Sequence, residues 1–241
     1  AVLRDAGRTL AEARDAEVML ATLDGVIARG RRRLAGRGGV RRARVRLAAD
    51  CERARAGALA EPHTRAAFLG SLRACRARVE TWNLASADDS RTLEPGLRRV
   101  YRQGRARHRR AIRRSGKDAR RMHEWRKRVK DLRYMAEAIG PPGSHSRLAR
   151  RADALGEVLG EDHDLAVLDD WIRAQRAKGG KRGRRATAIG RRSAKHLRRE
   201  IARRRRKLRR RALRDGERLY RARPKKFVRR LRATSKRRSA S

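Results

Sequence analysis

The segment from 122 to 140 carries a cationic face that could bind an anion. At about 100° of rotation per helical residue, one arc of about 120° holds His123, Arg126, Lys127, Lys130, Arg133, Tyr134 and Glu137. Apolar residues such as Trp125, Val129 and Leu132 take the opposite side, where they would pack. Four like charges on one face repel one another, so a bound anion would relieve that repulsion. The alternative is a solvated helix surface without a ligand.

A second stripe of arginines lies in the segment before it. Spaced four, three, four and four residues apart, its members are Arg98, Arg102, Arg105, Arg109 and Arg113. With a rise of about 1.5 Å per residue, the stripe extends for on the order of 20 Å, so it could follow a row of phosphates. The alternative is a helix that is basic all round, because Arg107, Arg110 and Arg114 carry charge beyond the stripe.

A group of acids with one histidine could suggest metal chemistry. Its members are Asp162, His163, Asp164, Asp169 and Asp170. Carboxylates together with bridging phosphates suit Mg²⁺. On a helix, however, only Asp162 and Asp169 share a face, and neighbouring Arg or Lys side chains can account for their charge. A Walker-type glycine loop is also missing from the sequence. We therefore expect no enzymatic activity, no catalytic residue, no metal site and no cofactor.

The charge of the whole chain favours a polyanionic partner. Its 241 residues include 71 Lys or Arg and 26 Asp or Glu, a formal net charge of +45. Residues 1–90 hold 18 basic and 11 acidic residues, whereas 91–241 hold 53 and 15. Such an excess is typical of proteins that bind polyanions. Cys51 and Cys75 are too few for a disulfide framework.

Helices must position these residues, because apolar side chains recur at helical spacing and alternating β patterns are lacking. Gly and Pro clusters break the pattern into segments of helical length. The predicted helices are 2–29, 40–60, 63–84, 92–114, 118–139, 146–177, 185–214 and 216–233. The sequence therefore predicts an all-α protein, with a basic tail over 234–241.

One internal repeat indicates duplication. GRTLAEARDAEVML from residue 7 aligns with GEVLGEDHDLAVLD from residue 156 at a constant offset, which pairs Leu10 with Leu159 and Val18 with Val167. We accordingly predict a first helical bundle over 1–90 and a second over 91–233.

Three blocks occur in an order that resembles the CHAD family, the conserved-histidine α-helical domains. They are HEWRKRVKDLRY, LGEVLGEDHDLAVLDDWI and ERLYRARPKKFVRRL. GRTLAEARDAEVMLATL and GLRRVYRQGRARHRRAI also resemble the family's upstream helices. The resemblance implies two antiparallel bundles of about four helices each, related by pseudo-twofold symmetry. It further implies that inorganic polyphosphate binds in a basic groove lined by both repeats.

The family's basic signature helix matches the 122–140 segment position by position. The resemblance therefore makes His123, Arg126, Lys127, Lys130 and Arg133 candidate phosphate ligands. Arg14 matches a repeated Arg-Asp position and joins them, together with the stripe residues Arg98, Arg102, Arg105 and Arg109. The family's first repeat opens with its own His- and Arg-bearing helix, whereas this chain begins at Ala1 in the helix that should follow. We expect that first helix to be missing from the first bundle.

The function that we predict is non-catalytic binding of inorganic polyphosphate. The alternatives are sequence-independent nucleic-acid binding and, third, metal-dependent processing of polyphosphate. Without a signal peptide or a stretch of about 18 apolar residues, we expect a cytoplasmic protein, associated with polyphosphate granules, and no membrane partner. A homo-oligomer and a fused or partner phosphate-metabolising enzyme are further expected partners.

Overall fold

The computed structural model describes residues 2–30, 34, 36–59, 62–81, 90–113, 118–139, 147–178 and 189–230. Seven long helices run in chain order: α1 Val2–Gly30, α2 Gly38–Leu59, α3 Pro62–Glu80, α4 Ser90–Ile112, α5 Ala119–Ile139, α6 Arg147–Lys178 and α7 Arg191–Leu219. A short helix, α8, covers 224–230. The described ranges contain no strand, so the all-α prediction is confirmed.

The predicted helix break at residues 214–216 is wrong, because α7 continues through Gly216 to Leu219. A Cβ atom at Gly216 would lie 2.5 Å from Cζ2 of Trp125, so the glycine allows close packing and does not end the helix. The last predicted helix is correspondingly reduced to α8. The basic tail over 234–241 lies outside the described residues.

The chain forms two compact units, each made from two segments. Unit 1 contains 1–84 and 164–203, and unit 2 contains 85–163 and 204–241. Helices α6 and α7 each contribute to both units. The predicted repeats over 1–90 and 91–233, with their pseudo-twofold symmetry, stay predictions. The division into compact units reflects which residues pack together, whereas a repeat is a duplication of the sequence.

Unit 1 packs α1, α2 and α3 with the end of α6 and the start of α7. Its core includes Leu23, Leu47, Leu168 and Leu197, which are all at least 98% buried. Arg198 and Arg173 both pair with the buried Asp169, at 2.7 Å each.

Unit 2 is organised around the buried faces of α4 and α5. On α4 the buried positions recur every three or four residues at Leu97, Tyr101, Gly104, His108 and Ala111. On α5 they are Met122, Trp125, Val129, Leu132 and Ala136. This spacing is the apolar stripe of a helix packed on one side. It leaves the cationic positions of both helices on their other sides.

The start of α5 is set by a side-chain cap. Oδ1 of Asp118 accepts a hydrogen bond from the backbone N–H of Arg121 at 3.1 Å, which satisfies a donor that the first helical turn leaves unpaired. The same bond is the main reason that the pKa of Asp118 is lowered. The cap places the signature residues of α5 in the turns that follow.

Candidate functional site

The first candidate surface is the α5 face, which we define as His123, Arg126, Lys127, Lys130 and Arg133. Its residues lie against α6 or toward solvent. The rings of His123 and His163 have centroids 4.5 Å apart, with planes tilted by 34°. A Cβ at Gly160 of α6 would lie 3.6 Å from the guanidinium of Arg126, an ordinary van der Waals distance that places this guanidinium beside α6.

The imidazole of His123 is held in its neutral form at neutral pH. Burial lowers its pKa below the ordinary 6.5, and the nearby His163, Lys127 and Arg126 lower it further. Glu124 acts in the opposite direction. Nδ1 of His123 is buried without a hydrogen-bond partner, so the ring has unused polar capacity.

Carboxylates neutralise part of the α5 face, and two of them, Glu124 and Asp153, lie outside the arc described from the sequence. Nζ of Lys127 lies 3.1 Å from Oε1 of Glu124. Arg133 contacts both Glu137, at 2.8 Å, and Asp153 of α6, at 2.5 Å. Arg133 is therefore already paired with two acids, whereas the side chain of Lys127 remains about half exposed.

The second candidate surface is a concavity of about 480 Å³ along α4, the α4 trough. It is lined by Arg98, Arg102, Arg105, Arg109, Arg223, Pro224 and Lys225. A second concavity of about 360 Å³ continues it past Arg110 to Arg113. The structure thus brings together four predicted stripe residues and adds Arg223 of the α7–α8 connection and Lys225 of α8. Neither concavity is lined by an acidic side chain in the part of the chain that the structure describes.

Hydrogen bonds from α4 to the end of α7 fix the trough. Nε of Arg105 donates to the carbonyl oxygen of Tyr220 at 3.1 Å. The hydroxyl of Tyr101 lies 3.2 Å and 3.1 Å from the carbonyl oxygens of Leu219 and Ala222. These bonds satisfy carbonyl groups that a helix end leaves unpaired. The contribution of the end of α7 to the trough could not be predicted from the sequence, because these bonds join residues more than a hundred positions apart.

Two further contacts hold the same elements together. The ring of Phe227 stacks on Tyr101 with centroids 3.7 Å apart, which places α8 against α4. Nε2 of His108 lies 3.1 Å from the carbonyl oxygen of Leu213, and since a carbonyl only accepts, the imidazole donates. Burial lowers the pKa of His108 and raises that of Tyr101 to about 12. Both groups therefore stay neutral donors at neutral pH.

The α5 face and the α4 trough lie on different sides of unit 2. α4 contacts α5 through Gln103, which accepts from Arg128 at 3.0 Å, and through Gly96 against Met135. The trough arginines lie about 100–160° around α4 from Gln103. On α5, the four cations of the face likewise lie about 100–160° around the helix from Arg128. The sequence-based prediction had assigned the cations of the α5 face and those of the arginine stripe to one basic groove.

Arg14, the remaining predicted ligand, is an exposed residue of α1 in unit 1. Its role as a phosphate ligand stays a prediction.

The acids of the 162–170 segment are paired with arginines. Asp162 is 3% exposed and accepts from Arg205 and Arg209, both at 3.0 Å. Glu161 accepts two bonds of 2.7 Å from Arg204. Among the residues that the structure describes, no three His, Cys, Asp or Glu side chains form a group that could hold a metal ion. The arginine neighbours that the sequence suggested therefore account for Asp162 and Asp169.

A comparison with known families now bears on these surfaces. The sequence profile of the CHAD domain matches residues 1–173, well over half of the chain. The chain belongs to the CHAD family. No curated protein and no solved structure matches it in the corresponding comparisons. The matched region of this CHAD protein includes the α5 face and the arginine stripe, whereas Arg223 and Lys225 lie beyond it.

A helix that crosses a membrane must be both long and apolar. Over the described residues, no helix combines the length and the apolar character that a membrane span needs.

Proposed function

We propose that this CHAD protein binds inorganic polyphosphate without catalysing a reaction on it. The observation that supports this most strongly is the α4 trough, where six cations face one concavity of about 480 Å³ and no acid is among the described lining residues. A linear chain of phosphates offers regularly repeated negative charge and no sequence to recognise. A row of guanidinium groups matches it, because each can donate two parallel hydrogen bonds to phosphate oxygens.

The helix that carries four of the trough cations is folded before a ligand arrives. Arg98, Arg102, Arg105 and Arg109 project from one continuous helix, and Arg105 is bonded to Tyr220. Binding therefore requires little ordering of the protein, which leaves more of the interaction energy for affinity. Release of condensed counterions supplies much of the remaining driving force, as for nucleic-acid backbones.

The α5 face contributes further phosphate ligands in this proposal. Arg126, Lys127 and Lys130 supply charge, and His123 lies close enough to Arg126 and Lys127 for their charges to lower its pKa. Arg133 holds α5 against α6 through its pair with Asp153, so we assign it mainly to positioning.

Nucleic acid and enzymatic turnover have less support at the trough. Its described lining has no aromatic ring on which a base could stack and no carboxylate that could activate water or hold Mg²⁺. Duplex DNA, which needs only backbone contacts, is the alternative that an experiment must separate.

A competition assay tests the proposed function. Labelled long-chain polyphosphate is bound at about 0.15 M salt, close to physiological ionic strength, and challenged with unlabelled polyphosphate or duplex DNA at equal phosphate concentration. We expect polyphosphate to compete and DNA to compete poorly, with no phosphate released in the presence of Mg²⁺ or Mn²⁺. Equal competition by DNA would refute the preference for polyphosphate, and phosphate release would refute the absence of catalysis.

Two charge-matched variants separate specific binding from the effect of net charge. The test variant reverses Arg102, Arg109, Lys127 and Lys130 to Glu, and the control variant reverses Lys207, Arg210, Arg214 and Arg221. The control residues are exposed cations of unit 2 outside both surfaces. Both variants lower the net charge equally, so only the first should lose binding. Equal losses would indicate diffuse attraction to a basic protein.

A further inference from the structure

The separation of the two cationic surfaces has a consequence for how many polyanions one molecule can hold. The α5 face contacts α6 through His123 and Arg133, whereas the α4 trough is closed by the α7–α8 connection. The two surfaces thus occupy the far edges of the α4–α5 pair. Each edge has its own neighbouring element and its own cations.

The distance between these edges follows from helix dimensions. A helix with side chains is about 10 Å wide, so the far edges of two adjacent helices are about 20 Å apart. The Debye length is about 8 Å at physiological ionic strength. Anions on the two surfaces are therefore screened from each other, and occupation of one surface costs little affinity at the other.

The surface that joins the two edges is not continuously cationic. A concavity between the end of α4 and the start of α5 is lined by two acids, Asp118 and Glu124, and by five arginines. Asp118 pairs with Arg121 at 2.9 Å, and Glu124 pairs with Lys127. These two carboxylates place negative charge on the path that one chain would need to follow from the trough to the α5 face.

We propose that unit 2 carries two separate polyanion sites, and that one protein molecule thereby bridges two polyphosphate chains. The inference rests on the proposed function and adds a valence of two to it. The second wall of the trough, Arg223 and Lys225, lies outside the region matched by the family profile. Bridging would let this protein gather separate polyphosphate chains into one assembly.

A capture experiment tests bridging directly. Biotinylated polyphosphate on beads is mixed with fluorescent polyphosphate of the same length, with chains short enough to fill only one surface. We expect the wild-type protein to retain fluorescent chains on the beads. Arg102→Glu/Arg109→Glu and Lys127→Glu/Lys130→Glu should each reduce this capture at least about tenfold, since one charge-assisted contact is worth roughly a factor of ten.

Each double variant should still bind a single labelled chain in solution, because its other site is intact. The control Lys207→Glu/Arg214→Glu reverses two exposed cations of α7 with the same seven-residue spacing as Arg102 and Arg109, and it should capture like wild type. Light scattering on the same samples measures the oligomeric state, and capture only by an oligomer whose protomers each bind one chain would overturn the inference.

The outcomes distinguish this inference from the function on which it rests. A wild-type protein that binds one chain per molecule without capture would overturn bridging and leave polyphosphate binding intact. Capture that survives Arg102→Glu/Arg109→Glu would also overturn it. Absence of any polyphosphate binding would overturn the proposed function itself.

Discussion

Gly216 gives the sharpest test of the packing that positions both surfaces. A Cβ atom there would lie 2.5 Å from Cζ2 of Trp125 and 2.7 Å from Cδ2 of His108. Carbon atoms prefer about 3.5 to 4.0 Å, so both rings would have to move by about 1 Å. Because these rings belong to α5 and α4, the substitution Gly216→Ala strains three helices at once.

The expected cost follows from two opposing effects. Overpacking of a core costs about 1–3 kcal/mol, and we take the upper end because two rigid rings are displaced. Replacing a helical glycine by alanine returns up to about 1 kcal/mol. We therefore expect Gly216→Ala to lower the free energy of unfolding of unit 2 by about 2 kcal/mol.

Gly57 provides a matched control near the end of another helix. It lies in the last turn of α2, as Gly216 does in α7, but nothing lies within 4 Å of its missing Cβ. Gly57→Ala should therefore stabilise unit 1 by up to about 1 kcal/mol. Urea unfolding combined with hydrogen exchange separates the two units. A Gly216→Ala protein as stable as the Gly57→Ala protein would refute the packing argument.

Three further predictions concern charge. In the variant Lys127→Glu/Lys130→Glu, the polyphosphate affinity of the trough should fall on the order of 100-fold when the salt concentration rises from about 50 to about 200 mM. This estimate counts the five trough cations that are not bonded to Tyr220, because each of them should release about 0.7 counterion. Polyphosphate affinity at the α5 face, measured in Arg102→Glu/Arg109→Glu, should rise as the pH falls, and His123→Gln should flatten that dependence. Asp162→Asn should lower the free energy of unfolding by about 3–5 kcal/mol, because it removes the carboxylate charge that pairs with two largely buried arginines.

The sign of the pH effect follows from the surroundings of His123. In the free protein its pKa lies below 6.5 because of burial, His163 on α6 and the cations of α5, while Glu124 opposes them. A bound polyanion raises that pKa, so binding takes up a proton. Affinity at the α5 face therefore increases as the pH falls through the range between the free and bound pKa values. His196→Gln, in unit 1, serves as the matched histidine control.

Each of these predictions has its own contradicting result. A polyphosphate affinity that does not change with salt concentration would exclude binding through counterion release. If His123→Gln leaves the pH dependence of polyphosphate affinity unchanged, the proton taken up on binding belongs to another group. An Asp162→Asn protein with wild-type stability in urea would show that its arginine pairs contribute little to folding.

Most helices could be predicted from the sequence because apolar spacing and Gly or Pro breaks are local signals. The predicted segment 118–139 differs by one residue from α5, whose start Asp118 caps. Gly216 shows where such signals fail, since a glycine can end a helix or admit a ring. Only the position of Trp125 distinguishes the two, and that position depends on tertiary packing.

The sequence predicted which cations share a side of each helix, but not how the helices place them relative to one another. Spacing placed the arginine stripe on one side of α4 and the basic signature on one side of α5. It could not show that Asp153 of α6 pairs with Arg133, or that Arg223 and Lys225 face the stripe. Nor could it show that the two cationic sides point away from each other, because that depends on which edges of α4 and α5 meet.

Calorimetric titration with phosphates of different length tests the central claim most directly. Long-chain polyphosphate, tripolyphosphate and orthophosphate are titrated into the wild-type protein at one ionic strength and compared at equal phosphate concentration. Rows of cations that extend for on the order of 20 Å predict that affinity rises steeply with chain length. Tripolyphosphate that binds as tightly as the long chain would contradict the account and indicate a compact anion pocket.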